Sequence, residues 1–162
     1  MMKKLTLVRH GKSSWEHNLD DKDRPLKKRG YADAELVSIA FKNKAININC
    51  VYSSPANRAL STCKIFTNNL NIDVEEIVIE EDLYDFVGNQ VVTFLKNLNQ
   101  NYQNVMIFGH NRAFTSICNI FGNSFIENLP TSGLVVIDFD VNLWKDINKG
   151  ITRFTIFPRD LK

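Results

Sequence analysis

Long apolar runs are missing from this chain, and no stretch approaches the roughly 18 residues that a bilayer-spanning helix needs. The opening Met1-Met2-Lys3-Lys4, followed by Leu5-Thr6-Leu7-Val8, starts like a secretory leader. Arg9-His10 breaks it well short of the roughly 7 to 15 apolar residues of such a segment. Cysteine is scarce: Cys50, Cys63 and Cys118 form an odd, scattered set without C-x-x-C spacing. That excludes a disulfide framework and predicts a reduced, cytoplasmic protein whose thiols are structural. A surplus of one charge is missing too. Twenty Lys and Arg stand against 18 Asp and Glu, a net charge of +2, so neither nucleic acid nor a membrane is an expected partner. No acidic cluster has a histidine at metal-ligand spacing, so no metal or other cofactor is expected. No repeat and no Pro/Gly/Ser-rich linker divides the sequence.

What remains is the composition of an ordinary globular chain, 44% hydrophobic and 23% charged, long enough at 162 residues to bury one core unaided. A single domain spanning 1–162 is expected. Short β-branched runs alternate with helical spacing. Strands are predicted at Leu5–Val8, Cys50–Tyr52, Ile77–Ile79, Val105–Phe108, Leu134–Phe139 and Ile151–Phe157, the last two antiparallel to each other. Helices are predicted over Lys27–Lys42, from Pro55 through Phe66, over Asn89–Leu98 and over Thr115–Phe121. Strand and helix in alternation imply a three-layer α/β/α sandwich on a mostly parallel sheet with an antiparallel strand. Trp144, Phe139, Phe154 and Phe157 read as packing residues, and His17 as exposed.

Ligands of such sheets bind beyond the carboxyl ends of the strands. That rule selects Arg9, His10, Ser53, Arg58 and His110, which all fall at or just past strand ends. Their chemistry is complementary. A neutral imidazole is a competent nucleophile toward phosphorus near neutral pH, provided that its second ring nitrogen is held by a hydrogen bond. Phosphoryl transfer asks mainly for positioning and charge neutralisation, which arginine forks supply. A second histidine, made cationic by the bound anion, would stabilise the transferring group.

The ordered set Val8-Arg9-His10-Gly11-Lys12-Ser13-Ser14-Trp15, Asp23-Arg24-Pro25-Leu26 leading to Arg29-Gly30, Ser53-Ser54-Pro55 to Arg58-Ala59, Phe108-Gly109-His110-Asn111 and Thr131-Ser132-Gly133 resembles the histidine phosphatase superfamily, with its phosphoglycerate-mutase-like fold and R-H-G motif. Within it, the likeness is strongest to small phosphohistidine phosphatases of the SixA type. The resemblance implies that His10 is the nucleophile and that Arg9, Arg58 and His110 complete the phosphate pocket. It further implies substrate contacts from Arg24 and Asn111, although Arg24 is also read as an anchor of its own turn. Two positions depart from the pattern. Glu16 stands where mutase-like members carry a phosphate-touching Asn, and is expected to point away or to be neutralised by Lys12. Asp85 stands where other members carry a glutamic proton donor, one methylene longer. It is either a catalytic acid or a loop or helix-capping residue.

A weak or absent donor favours phosphoramidates or activated esters, because an alkoxide leaving group needs a general acid worth about 10²–10⁴ in rate. The expected function is therefore a metal-independent phosphatase acting through a phosphohistidine on His10. Its expected substrate is phosphohistidine on a signalling or phosphotransfer protein. Two alternatives stand beside it: a small-molecule phosphomonoesterase using Asp85, and a non-catalytic module that binds phosphoproteins.

Overall fold

The computed structural model describes residues 2–162. A six-stranded sheet forms its middle layer, from β1 (Lys3–Arg9), β2 (Cys50–Ser53), β3 (Ile77–Ile79), β4 (Asn104–Gly109), β5 (Leu134–Phe139) and β6 (Ile151–Ile156). The strand order is β3-β2-β4-β1-β5-β6. The pairs β1–β4, β2–β4 and β2–β3 are parallel, whereas β5 pairs antiparallel with both β1 and β6. One strand, β5, thus runs against the other five. The three-layer α/β/α architecture with a mostly parallel sheet is the one that the sequence implied.

Strand alternation sends successive side chains to opposite faces and creates two cores. Leu5 and Leu7 of β1, Val105 and Ile107 of β4, and Val135 and Ile137 of β5 point to one side. There they meet α3 (Asn89–Lys96) through Val91 and Leu95, and α4 (Ala113–Phe121) through Phe114 and Ile117. Val8, Met106, Phe108 and Val136 point to the other side, against Val37 and Phe41 of α1 (Lys28–Lys42) and Cys63 and Phe66 of α2 (Asn57–Asn69). The inner strands are covered on both faces, which is why they read as short continuous apolar runs. Cys63 and Cys118 are buried free thiols, and burial pushes both pKa values up, away from the nucleophilic thiolate.

Element bounds move by a few residues at helix ends, where one turn frays or a cap intervenes. The largest shift is at α2. Pro55 lies before the N-cap Ala56, not inside the first turn, so α2 begins at Asn57 and carries Arg58 in its first turn. Trp144 is fully buried, and its indole N–H donates to the Tyr102 carbonyl at 2.7 Å. Phe139 and Phe157 are buried as expected, whereas Phe154 packs only partly against its core. Among the described residues, no helix is long and apolar enough to cross a membrane.

Candidate active site

Because β1, β2 and β4 are parallel, their carboxyl ends open along one edge of the sheet. Arg9 pairs with Gly109 at the last rung of β1 and β4, and Ser53 lies opposite Phe108 at the end of β2. The next residues are His10, His110 and Ser54. Their backbones extend the ladder: the His10 N–H donates to the Gly109 carbonyl, and the Ser54 N–H to the Phe108 carbonyl, each at 3.0 Å. Gly11 then sits in a tight turn, where a Cβ would lie 3.0 Å from the Gly30 carbonyl and 3.1 Å from Ser132 Oγ and would press its neighbours outward by a few tenths of an ångström. Its N–H donates to Thr62 Oγ1, and the Thr62 hydroxyl donates to the Arg58 carbonyl, each at 2.8 Å. The turn after β1 is thereby tied to α2.

His10 is buried, and its Nδ1 lies 2.7 Å from the Gly11 carbonyl. A carbonyl only accepts, so Nδ1 carries the ring hydrogen and Nε2 keeps its lone pair. Burial lowers the His10 pKa well below the usual 6.5; the bond to Gly11 opposes this, while His110, Arg58 and Arg9 add to it. The ring is therefore neutral at physiological pH. His110 is also fully buried, its ring centroid 5.3 Å from that of His10, with Phe86 and Tyr84 packed against it. Its Nε2 lies 2.8 Å from Ser54 Oγ, which already accepts the Ala56 N–H at 3.2 Å. The serine hydroxyl keeps its hydrogen and a second lone pair, so it pairs with Nε2 in either tautomer of the ring. Burial first, then Arg58 and Arg9, draw the His110 pKa down to about 3 against an opposing pull from Asp21.

Among the described residues, five buried side-chain polar atoms have no partner, and three of them, Arg9 Nε, Arg58 Nε and His110 Nδ1, belong to this site. Leaving such a group unpaired costs roughly 1–3 kcal/mol, so three in one place call for a functional account. The rest of each guanidinium is anchored. Arg9 Nη1 donates to the Leu129 carbonyl at 2.9 Å. Arg58 Nη1 donates to the Asp21 carbonyl at 2.6 Å and Nη2 to Asp21 Oδ2 at 2.9 Å. Arg24 donates to Ser13 Oγ, to the Ser14 carbonyl and to Asp21 Oδ1, and stacks 3.2 Å above the Trp15 ring. A cavity of about 280 Å³ opens onto Arg9, His10, Arg24 and Arg58, with Trp15, Phe86 and Thr131 at its margin.

Arg9, His10, Arg24, Arg58 and His110 are thus brought together; Asp85 and Asn111 are not. Both carboxylate oxygens of Asp85 accept backbone N–H groups at the start of α3, from Val87, Gly88, Gln90 and Val91, at 3.0 to 3.2 Å. Asp85 therefore does not stand as the proton donor, because its lone pairs face the helix and not the cavity. The N-cap residue Gly88 has no side chain, and Asp85 supplies the missing acceptor. The Asn111 amide bonds to Asn128 Oδ1 and accepts the Thr115 hydroxyl, which turns it away from the cavity as well. Glu16 points into a neighbouring groove with His17, Lys27 and Lys28, as its position beside the pocket required. Ser53 is turned onto the Ser54 carbonyl, and it is Ser54 that reaches His110. Sequence reasoning missed Asp21, which lines the cavity, and Tyr84, whose hydroxyl donates to Asp21 Oδ2 at 2.6 Å. Among the described residues, no group of three His, Cys, Asp or Glu side chains is placed to hold a metal ion.

Comparisons with known proteins bear on the family and the fold. The family description Histidine phosphatase superfamily (branch 1) matches residues 5–90, just over half of the chain. The solved structure of the protein histidine phosphatase SixA complexed with tungstate superposes with a TM-score of 0.84 at 21% identity, over 98% of this chain and 99% of that one. An uncharacterized chloroplastic protein of Arabidopsis thaliana is 27% identical over 153 residues, 89% of this chain and 70% of the relative. A 2,3-bisphosphoglycerate-dependent phosphoglycerate mutase of Bacteroides thetaiotaomicron is 31% identical over a shorter stretch, 44% of this chain and 30% of the mutase.

Proposed function

The chain belongs to the histidine phosphatase superfamily, and from that premise we propose that it is a phosphatase that removes the phosphoryl group from phosphohistidine on a partner protein by way of His10. In the first step His10 Nε2 forms a bond to phosphorus as the substrate N–P bond breaks. The electron pair goes to the leaving imidazole, which takes its proton from water. In the second step a water oxygen attacks phosphorus, the pair of the Nε2–P bond returns to His10, and the water's proton is released to solvent with inorganic phosphate. Arg9, Arg58 and His110 hold the equatorial oxygens throughout, through the donors that the protein itself leaves unpaired. The dianion draws the His110 pKa upward, so that its Nδ1–H becomes a charged donor.

The observation that carries this reading is the bond from His10 Nδ1 to the Gly11 carbonyl, which reserves Nε2 as the nucleophile beside Arg9 and the buried Arg58. The substrate class follows from proton supply. Asp21 is the carboxylate on the cavity wall, and its partners hold it ionised, with a pKa of about 2, so it has no proton to give. Asp85 is bound to helix amides. An imidazole leaving group accepts its own proton, whereas an alkyl alkoxide depends on a donor. The SixA neighbour supports the same class, as a protein histidine phosphatase with a tetrahedral oxyanion bound.

The test compares initial rates on a phosphohistidine-bearing protein and on an alkyl phosphate monoester. The phosphohistidine is expected to turn over at least about 10²-fold faster. Equal rates would overturn the substrate assignment and restore an acid-assisted esterase.

A further inference from the structure

Asp21 lies in the 3-10 turn Asp21–Asp23, between β1 and α1, and places a negative charge among the arginines of an anion pocket. Its Oδ2 takes Arg58 Nη2 at 2.9 Å and the Tyr84 hydroxyl at 2.6 Å, and its Oδ1 takes Arg24 Nη1 at 3.2 Å. Lys22, next in the chain, pairs with Glu81 and sits over the Tyr84 ring, so it does not offset Asp21. The Asp21 side chain stays 41% exposed on the cavity side of this cluster.

A carboxylate here can clamp Arg58 in place, or it can set the charge that a phosphate meets. One bond separates the two roles. The Asp21 main-chain carbonyl accepts Arg58 Nη1 at 2.6 Å, a grip that does not depend on the side chain. The carboxylate is therefore not needed to aim the guanidinium, and its remaining effect is electrostatic. It uses guanidinium hydrogens that phosphate oxygens would also use, and it adds like-charge repulsion toward a dianion.

We propose that Asp21 is a resident counter-anion of the pocket, which competes with inorganic phosphate for Arg58 and Arg24 and so keeps product binding weak enough for rapid release. Tyr84 is the positioning residue for this carboxylate, a neutral donor that holds it against the arginines. The assignment rests on the reading of the cavity as a phosphoryl site. Retention of product is a particular hazard for such a site, because the donors that stabilise the transferring group also bind phosphate.

The experiment measures inorganic phosphate as a competitive inhibitor of turnover, and by calorimetry, for the wild type, Asp21→Asn, Asp21→Ser and Asp21→Glu. The two neutral variants keep the main-chain grip on Arg58 and are expected to bind phosphate about tenfold tighter. Asp21→Glu keeps the charge and is expected to stay within about threefold of the wild type. Two neutral variants guard against the failure of either one to fold. Phosphate binding that is unchanged or weaker in a folded neutral variant would overturn the proposal and leave Asp21 as a clamp. A wild type with neither turnover nor phosphate inhibition would instead overturn the phosphatase reading.

Discussion

Asp21 and Asp85 are both carboxylates that follow strands of the same sheet, and the two regions use them in opposite ways. At the entry to α3, Asp85 is 6% exposed and accepts four backbone amides, neutral donors whose only other use is to start a helix. At the cavity, Asp21 is half exposed and accepts two guanidiniums and a phenol, donors that also serve an anion. The α3 entry is closed in hydrogen-bonding terms. The cavity is not, because Arg9 Nε, Arg58 Nε and His110 Nδ1 are buried without partners. A carboxylate satisfied by a helix terminus contributes to stability and has nothing left for chemistry. One satisfied by charged side chains remains in competition with whatever else those side chains can bind. Functional sites commonly forgo stability in this manner.

The comparison predicts that substitutions at the two ends separate activity from stability. His10→Ala is expected to lower turnover by at least about 10⁴-fold, as removal of a nucleophile does. Urea unfolding should move by less than about 1 kcal/mol, since a buried polar group is lost with it. Residual turnover within about a hundredfold of the wild type would break the assignment. The next effect is on pH. His10 and His110 have folded pKa values below the ordinary 6.5, that of His110 at about 3. Below pH 6.5 the unfolded chain binds protons that the folded chain refuses, so stability falls as pH drops from 6.5 toward 3. At about pH 4.5 the His110 share of that loss is about 2.5 kcal/mol, which His110→Gln should remove. A unfolding free energy independent of pH over this range would show that the ring is not held neutral. The third effect belongs to the closed end. Asp85→Ala should cost about 2 kcal/mol and lower the Tm by about 4–8 °C, while turnover stays within about threefold of the wild type. Activity lost without stability would return Asp85 to catalysis.

How much of this was legible in the sequence depended on distance along the chain. The strands showed in their apolar runs, and the rule that ligands gather at strand carboxyl ends was enough to select Arg9, His10, Arg58 and His110 before any fold was known. Asp85 stood open between acid and cap, since choosing between them needed the direction of its lone pairs; Gly88, three residues on, was the available hint, as an N-cap without a side chain. Asp21 was not legible. Asp20-Asp21-Lys22-Asp23 has the look of a solvated acidic turn, and nothing local shows that it folds back over the first turn of α2 to meet Arg58, 37 residues later. Ser54 was passed over for Ser53 because a one-residue step past a strand end reverses the side chain, which a pattern of strand ends does not resolve.

The smallest expected effect isolates Asp21 without any ligand. Tyr84, Arg58 and Arg24 hold its folded pKa at about 2, against an ordinary 3.8. A depressed carboxyl pKa contributes stability that is complete above pH 3.8 and is lost as pH falls through about 2. The side chain is 41% exposed, so solvent screens the pairing, and the contribution is about 1 kcal/mol, less than the shift alone would suggest. Asp21→Asn should therefore unfold along an acid limb that is shallower by that amount between pH 3.8 and 2, and parallel to the wild type at higher pH. Coincident limbs would mean that the guanidiniums do not engage the carboxylate in solution. The competition with phosphate would then lose its physical basis, whatever the activity of the variant.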